Sequence, residues 1–142
     1  MAALNSVNMA NPYDLYIIVV DDDEDDLNML TNVLSSTIPD CHLQTFTNGA
    51  SLLASVGSIS QPPQLMILDW QMPGLDGIEL LIEIRRAVQF INVPIILLST
   101  ISEPDIQLKM AQYGGNGYFV KPATLSDWRS LVDQLTIQYE LH

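Results

Sequence analysis

Apolar and polar residues follow one another in blocks whose period alternates between that of a buried strand and that of an amphipathic helix. Tyr16-Ile17-Ile18-Val19-Val20 is apolar and mostly β-branched, which predicts a first strand. After an acidic run, Leu27, Leu30, Val33 and Leu34 recur at helical spacing, and Pro39 ends the pattern. Leu43 to Phe46 predicts a short second strand closed by Asn48-Gly49, and Ser51 to Val56 a second helix ended by Gly57. Pro62 and Pro63 bar regular structure before Leu65-Met66-Ile67-Leu68, a third buried strand, and Pro73-Gly74 turns the chain after it. Ile78 to Val88 predicts a helix with an apolar stripe through Ile78, Leu81, Ile82 and Ile84, and Val93 to Leu98 a fourth strand. Ser102-Glu103-Pro104-Asp105 reads as a helix start with Ser102 as N-cap, the helix running to Tyr113 and breaking at Gly114-Gly115. Gly117 to Val120 predicts a fifth strand. Thr124 opens a last helix through Leu125, Trp128, Leu131, Val132 and Leu135.

Strands alternating with helices in this way predict an α/β fold: a doubly wound, five-stranded parallel sheet flanked by five helices, with right-handed crossovers. Sheets of this kind place their ligand chemistry at the carboxyl ends of the strands, where the strand order reverses. The residues delivered there are Asp21 and Asp22 after the first strand, Asp69 at the end of the third, Ser99 after the fourth and Lys121 after the fifth.

Composition narrows the picture. The chain has 142 residues, 48% of them hydrophobic, enough for one domain with a core of ordinary size. That domain is expected over residues 15–142, behind a flexible N-terminal tail at 1–14. Seventeen acidic against five basic residues give a net charge of −12, a surface that repels nucleic-acid phosphates and anionic lipid alike. No apolar run reaches the length of a membrane span, and Met1 to Asn11 lacks the basic start and apolar block of a secretory signal. The single cysteine, Cys41, excludes an intramolecular disulfide and fits a reducing compartment, so a cytoplasmic location is expected. His42 and His142 have no partner at metal-ligand spacing.

A lone Asp at a strand end usually begins a turn, and a lone Lys there is usually a surface residue. The coincidence of several such residues at one crevice outweighs those readings. Three carboxylates packed together cannot all ionise cheaply without a cation, and Mg²⁺ takes oxygen ligands of this kind. A carboxylate beside Mg²⁺ can attack a phosphoryl group and form an aspartyl phosphate. An ammonium (Lys121) and a hydroxyl (Ser99) can then stabilise the charge on the transferring oxygens. The remaining acids, Asp23, Glu24, Asp25 and Asp26, read as a solvated first helical turn favoured by the helix dipole.

The motifs Val19-Val20-Asp21-Asp22, Leu68-Asp69-Trp70-Gln71-Met72-Pro73-Gly74, Ser99-Thr100 and Tyr118-Phe119-Val120-Lys121-Pro122, in that order, resemble those of a response-regulator receiver domain. The resemblance covers Leu15 to Tyr139 and implies the flavodoxin-like strand order. It implies that Asp69 is the phosphoacceptor, that Asp22 binds Mg²⁺ directly and that Asp21 assists through water. Gln71 stands where the family supplies a main-chain carbonyl to the metal, and Lys121 where it pairs with the phosphoryl group. The bond from Lys121 to Pro122 is commonly cis in the family. Ser99 takes the switch-hydroxyl position and Tyr118 the switch-aromatic position, with the fourth helix, fifth strand and fifth helix, Glu103 to Tyr139, as the responding surface. Asp76-Gly77 falls where the family often has the same pair. The chain departs from the common pattern at Ser99 in place of Thr, at Thr100 in place of Ala or Gly, and at Ala123 in place of an aromatic.

The function so implied is that of a phosphoacceptor in two-component signalling, a switchable module rather than an enzyme with a separate substrate. Its expected partners are a sensor histidine kinase or phosphotransfer protein upstream and a protein target downstream, with the chain a monomer or weak homodimer. One helix follows Lys121-Pro122, so no output domain is expected. An aspartyl-phosphate phosphatase of the haloacid dehalogenase type would need an Asp where Gln71 stands. An EF-hand would need a central Gly and alternating ligands that the run Asp21 to Asp26 lacks. A flavodoxin-like electron carrier would need a phosphate-binding loop after the first strand, where this chain has carboxylates.

Overall fold

The computed structural model describes residues 15–142. The tail expected at residues 1–14 lies outside the described residues. The strands are β1 (Leu15–Val20), β2 (Cys41–Phe46), β3 (Leu65–Asp69), β4 (Ile95–Ser99) and β5 (Gly117–Val120). The helices are α1 (Glu24–Thr37), α2 (Gly49–Ser55), α3 (Gly77–Arg85), α4 (Pro104–Gln112) and α5 (Leu125–Gln138), with short 3₁₀ turns at Val56–Ser58 and Val88–Phe90. All strand pairs are parallel, in the order β2-β1-β3-β4-β5. The order reverses between β1 and β3, which opens a crevice at their carboxyl ends. The doubly wound, five-stranded sheet flanked by five helices is therefore as the sequence predicts.

Uninterrupted apolar runs form the inner strands because helices cover both faces of the sheet; every residue of β3 and β4 is buried. On one face Ile17, Val19, Ile67, Ile96 and Leu98 pack against Leu30 and Leu34 of α1 and Trp128, Val132 and Leu135 of α5. On the other, Ile18, Val20, Met66, Leu68, Ile95 and Leu97 meet Leu52 of α2, Leu81 and Ile84 of α3, Phe90, and Met110 of α4. Burying a side chain of this size contributes about 1.5–3 kcal/mol. The two layers hold the strand ends in fixed relation.

Element boundaries move from the sequence expectation where side chains decide them. The α4 helix is capped by Glu103, not Ser102, and that cap makes no side-chain bond. Pro104 at the first helical position pins the start instead, since its missing N–H would have had no partner there anyway. Asn48 caps α2 by accepting from the Ser51 N–H at 2.8 Å, so the helix begins two residues earlier, at Gly49. The α3 helix stops at Arg85. The Arg85 guanidinium donates to the carbonyls of Phe90 at 2.6 Å and Gly114 at 2.8 Å and to Asn116 Oδ1 at 3.0 Å, tying this helix end to the turn before β5. Thr124 caps α5 as predicted, accepting from the Asp127 N–H at 3.1 Å. All described peptide bonds are trans, the Lys121–Pro122 bond among them, contrary to the cis form the resemblance implied; trans is the lower-energy isomer of an X–Pro bond.

Candidate functional site

The crevice is built from strand ends. Asp21 leaves β1, and its Oδ1 accepts from the Asp23 N–H at 2.9 Å, which bends the chain into α1. Asp23 is the N-cap, its side chain accepting from the Asp26 N–H at 3.1 Å. Asp69 ends β3 in register with Leu98, and the Lys121 N–H donates to the Ser99 carbonyl at 2.7 Å just beyond β5. The Lys121 ammonium therefore reaches back across the sheet ends, to 2.8 Å from Asp21 and 3.5 Å from Asp69. Asp21, Asp69 and the Lys121 side chain are nearly inaccessible, at 3%, 5% and 6% exposure. Asp22 is exposed. An open crevice of about 380 Å³ runs above them, lined by Asp22, Asp23, Asp26, Asp69, Gln71, Thr100 and Lys121.

The charges do not balance within this cluster. Burial, and after it the charge of Asp21, push the Asp69 carboxyl up to about 7, although Lys121 pulls the other way. Burial raises Asp21 as well, against its bond to Lys121. Burial alone would lower Lys121, but its bonds to Asp21 and Asp26 outweigh that and hold it well above the usual lysine range. The lysine thus stays an ammonium, and the carboxylates still exceed it in charge. One oxygen from each of Asp21, Asp22 and Asp69 lies within 4.8 Å of the others. Hard oxygen donors at that spacing with excess negative charge fit a divalent cation such as Mg²⁺.

The structure brings Asp21, Asp22, Asp69 and Lys121 together. Ser99 is fully buried and stands one residue past the Asp69–Leu98 register, at the end of β4. Its hydroxyl oxygen accepts from the Ile101 N–H at 3.2 Å. Thr100, not Ser99, lines the crevice, and its hydroxyl donates to the Gln71 side-chain oxygen at 2.9 Å. The Tyr118 hydroxyl donates to the Ile101 carbonyl at 2.7 Å. Gly77 opens α3 directly against the end of β3, where a Cβ would come within 2.6 Å of the Asp69 carbonyl oxygen and 2.5 Å of Leu97 Cδ1. Asp76 before it caps α3 in a reciprocal pair with Glu79, at 2.8 and 3.0 Å.

Asp26 corrects the sequence reading. It is not merely a solvated first-turn acid: its carboxylate lies 2.9 Å from the Lys121 ammonium. In a run of six consecutive acids the residue type is uniform, so the sequence offered only its place three positions past the N-cap as a signal.

Comparison with known proteins agrees with this geometry. The family model described as "Response regulator receiver domain" matches residues 17–133. The phosphate regulon transcriptional regulatory protein PhoB of Pseudomonas aeruginosa is 29% identical over 106 residues, which are 75% of this chain and 44% of that protein. The chain thus spans less than half the length of this curated relative. Among solved structures, the phosphorylated cyanobacterial phytochrome response regulator RcpA superposes with a TM-score of 0.81 at 23% identity, over 89% of this chain and 94% of that one. The Mn²⁺-bound form of response regulator Rcp1 gives a TM-score of 0.75 at 26% identity, over 86% of this chain and 91% of that one. With the motif residues gathered at the strand ends and a family match over most of its length, this chain belongs to the response regulator receiver domain family.

Proposed function

We propose that this receiver domain is a phosphorylation switch in which Asp69 takes a phosphoryl group from a phosphohistidine of a sensor histidine kinase or phosphotransfer protein. The observation that carries the reading is a buried carboxylate at a strand end, with two further carboxylates within 4.8 Å and an ammonium at 3.5 Å. Asp21, Asp22 and Asp69, with the main-chain carbonyl at Gln71, would hold Mg²⁺. Bound there, the metal supplies positive charge that neutralises the carboxylates and polarises the transferring phosphoryl oxygens. An Asp69 oxygen attacks phosphorus in line with the histidine nitrogen. The P–O bond forms as the P–N bond breaks, and the imidazole leaves with the electron pair and takes up a proton. Lys121 faces the equatorial oxygens and carries part of the developing charge. This is a self-directed transfer, so the domain is a signalling module and not an enzyme with a separate substrate.

The output is a change of protein-binding surface on α4, β5 and α5, relayed by Ser99 and Tyr118. The downstream target is a protein, since the charge of −12 opposes nucleic acid and anionic membrane. No helix among the described residues is long and apolar enough to cross a membrane. A cytoplasmic site of action and a monomer or weak homodimer complete the reading.

Incubation with acetyl phosphate and Mg²⁺ followed by intact-mass measurement tests it. The wild type is expected to gain about 80 Da, one phosphoryl group replacing a proton. Asp69→Asn is expected to gain nothing. Undiminished labelling of that variant would remove Asp69 from its proposed role.

A further inference from the structure

Lys121 has three N–H donors, and three carboxylates surround it, from Asp21 at 2.8 Å, Asp26 at 2.9 Å and Asp69 at 3.5 Å. The two short contacts come from the β1–α1 side of the crevice and the long one from the proposed phosphoacceptor. The ammonium is therefore drawn away from the residue it is meant to serve. We infer that Asp26 is a positioning residue that holds Lys121 back in the unphosphorylated domain and is the partner exchanged when a phosphoryl group arrives on Asp69. This inference rests on the proposed role of Asp69.

The two short partners differ in what their release would cost. The Asp21 side chain is only 4% exposed, and leaving it without the ammonium strands a buried charge. The Asp26 side chain is 32% exposed and sits in the first turn of α1, where water and the helix dipole sustain it without Lys121. A phosphoryl group adds acceptor oxygens that can claim one lysine donor. The bond to Asp26 is the one the site gives up at least expense. Asp26 thus competes with the phosphoryl group for Lys121 and sets how strongly the site retains it. The charge alone does not account for this, because Asp25 is an exposed acid of the same turn that makes no bond to Lys121.

The test compares Asp26→Ala with Asp25→Ala, each lacking one negative charge in the same helical turn. Beryllofluoride with Mg²⁺ serves as the phosphoryl mimic, and affinity is read by Trp70 fluorescence and NMR. Asp26→Ala is expected to bind the mimic about fivefold more tightly than Asp25→Ala, the upper range for a partly exposed ion pair. The Lys121 ε-methylene resonance is expected to move in Asp26→Ala but not in Asp25→Ala before any mimic is added. Asp26→Glu, which keeps a carboxylate within reach, is expected to restore wild-type affinity. Equal affinities in the two Ala variants, or weaker binding by Asp26→Ala, would overturn the inference. Failure of the wild type to bind beryllofluoride at all would instead overturn the reading of Asp69 on which it rests.

Discussion

Ser99 and Tyr118 are joined through a single residue: Ile101 donates its N–H to the Ser99 hydroxyl at 3.2 Å and accepts from the Tyr118 hydroxyl at 2.7 Å. Tyr118 pairs in register with Leu97 and so shares a sheet face with Ser99. In the proposed switch, a Ser99 side chain drawn toward a phosphoryl oxygen would donate its O–H there and pull on the Ile101 N–H that it accepts from, and so on the loop that anchors Tyr118. The link gives the proposed switch a physical route from the crevice to the surface of α4, β5 and α5.

Ser99→Ala is expected to accept a phosphoryl group at Asp69 and yet respond less. Losing one hydrogen bond to a charged group weakens the bias of the switch by about 1.5–3 kcal/mol. Amide shifts over Glu103 to Tyr139 in a beryllofluoride titration measure this. Shifts as large as those of wild type would show that the hydroxyl is not the coupling element.

Mg²⁺ is expected to stabilise the unphosphorylated domain, because the cation relieves repulsion among Asp21, Asp22 and Asp69. At a concentration 100 times its Kd the gain is about 2.7 kcal/mol. Asp22→Ala should lose most of that gain and, without metal, be no less stable than wild type, since one of three like charges is gone. Thermal melts with and without Mg²⁺ decide it, and an unchanged metal response would strike Asp22 from the ligand set.

The Asp69 carboxyl, held at about 7, brings a pH dependence whose sign is opposite to that of an ordinary paired carboxylate. Its folded value lies above the ordinary value of 3.8, so its contribution to stability is complete below about 4 and is lost as pH rises through about 7. Metal-free protein should therefore lose stability across that window, and Asp69→Asn should flatten the loss. Because the metal requires the ionised carboxylate, Mg²⁺ uptake at pH 6 should release close to one proton in the wild type. Calorimetry in buffers of different ionisation heat reads the proton count, and a count of zero would contradict the raised value.

Gly77→Ala tests how closely α3 must approach the phosphoacceptor strand. The added Cβ would lie 2.5 Å from Leu97 Cδ1 and 2.6 Å from the Asp69 carbonyl oxygen, a backbone atom that gives way only if the end of β3 moves. Overpacking of this kind destabilises by about 1–3 kcal/mol. Chemical denaturation should show that loss together with weaker Mg²⁺ binding, since the strand end carrying Asp69 must shift. Wild-type stability would mean that the helix start can retreat without disturbing the site.

The order of strands and helices, the buried inner strands and the gathering of Asp21, Asp22, Asp69 and Lys121 were all legible in the chain. Each follows from a repeating local pattern, the unbroken apolar runs of β3 and β4 above all, which only a sheet covered on both faces can bury. A polar residue directly after such a run falls at the carboxyl end of its strand. Period and position therefore determine which strand end a residue occupies. They do not determine its partner. That Asp26 rather than Asp25 meets Lys121, 95 positions away, depends on how α1 is rotated over the sheet by the packing of Leu30 and Leu34. The bond from the Thr100 hydroxyl to the Gln71 side-chain oxygen at 2.9 Å, 29 positions apart, is of the same kind. Contacts below 3 Å are settled by competition among neighbouring side chains for the same donors, and that competition exists only once the layers have closed.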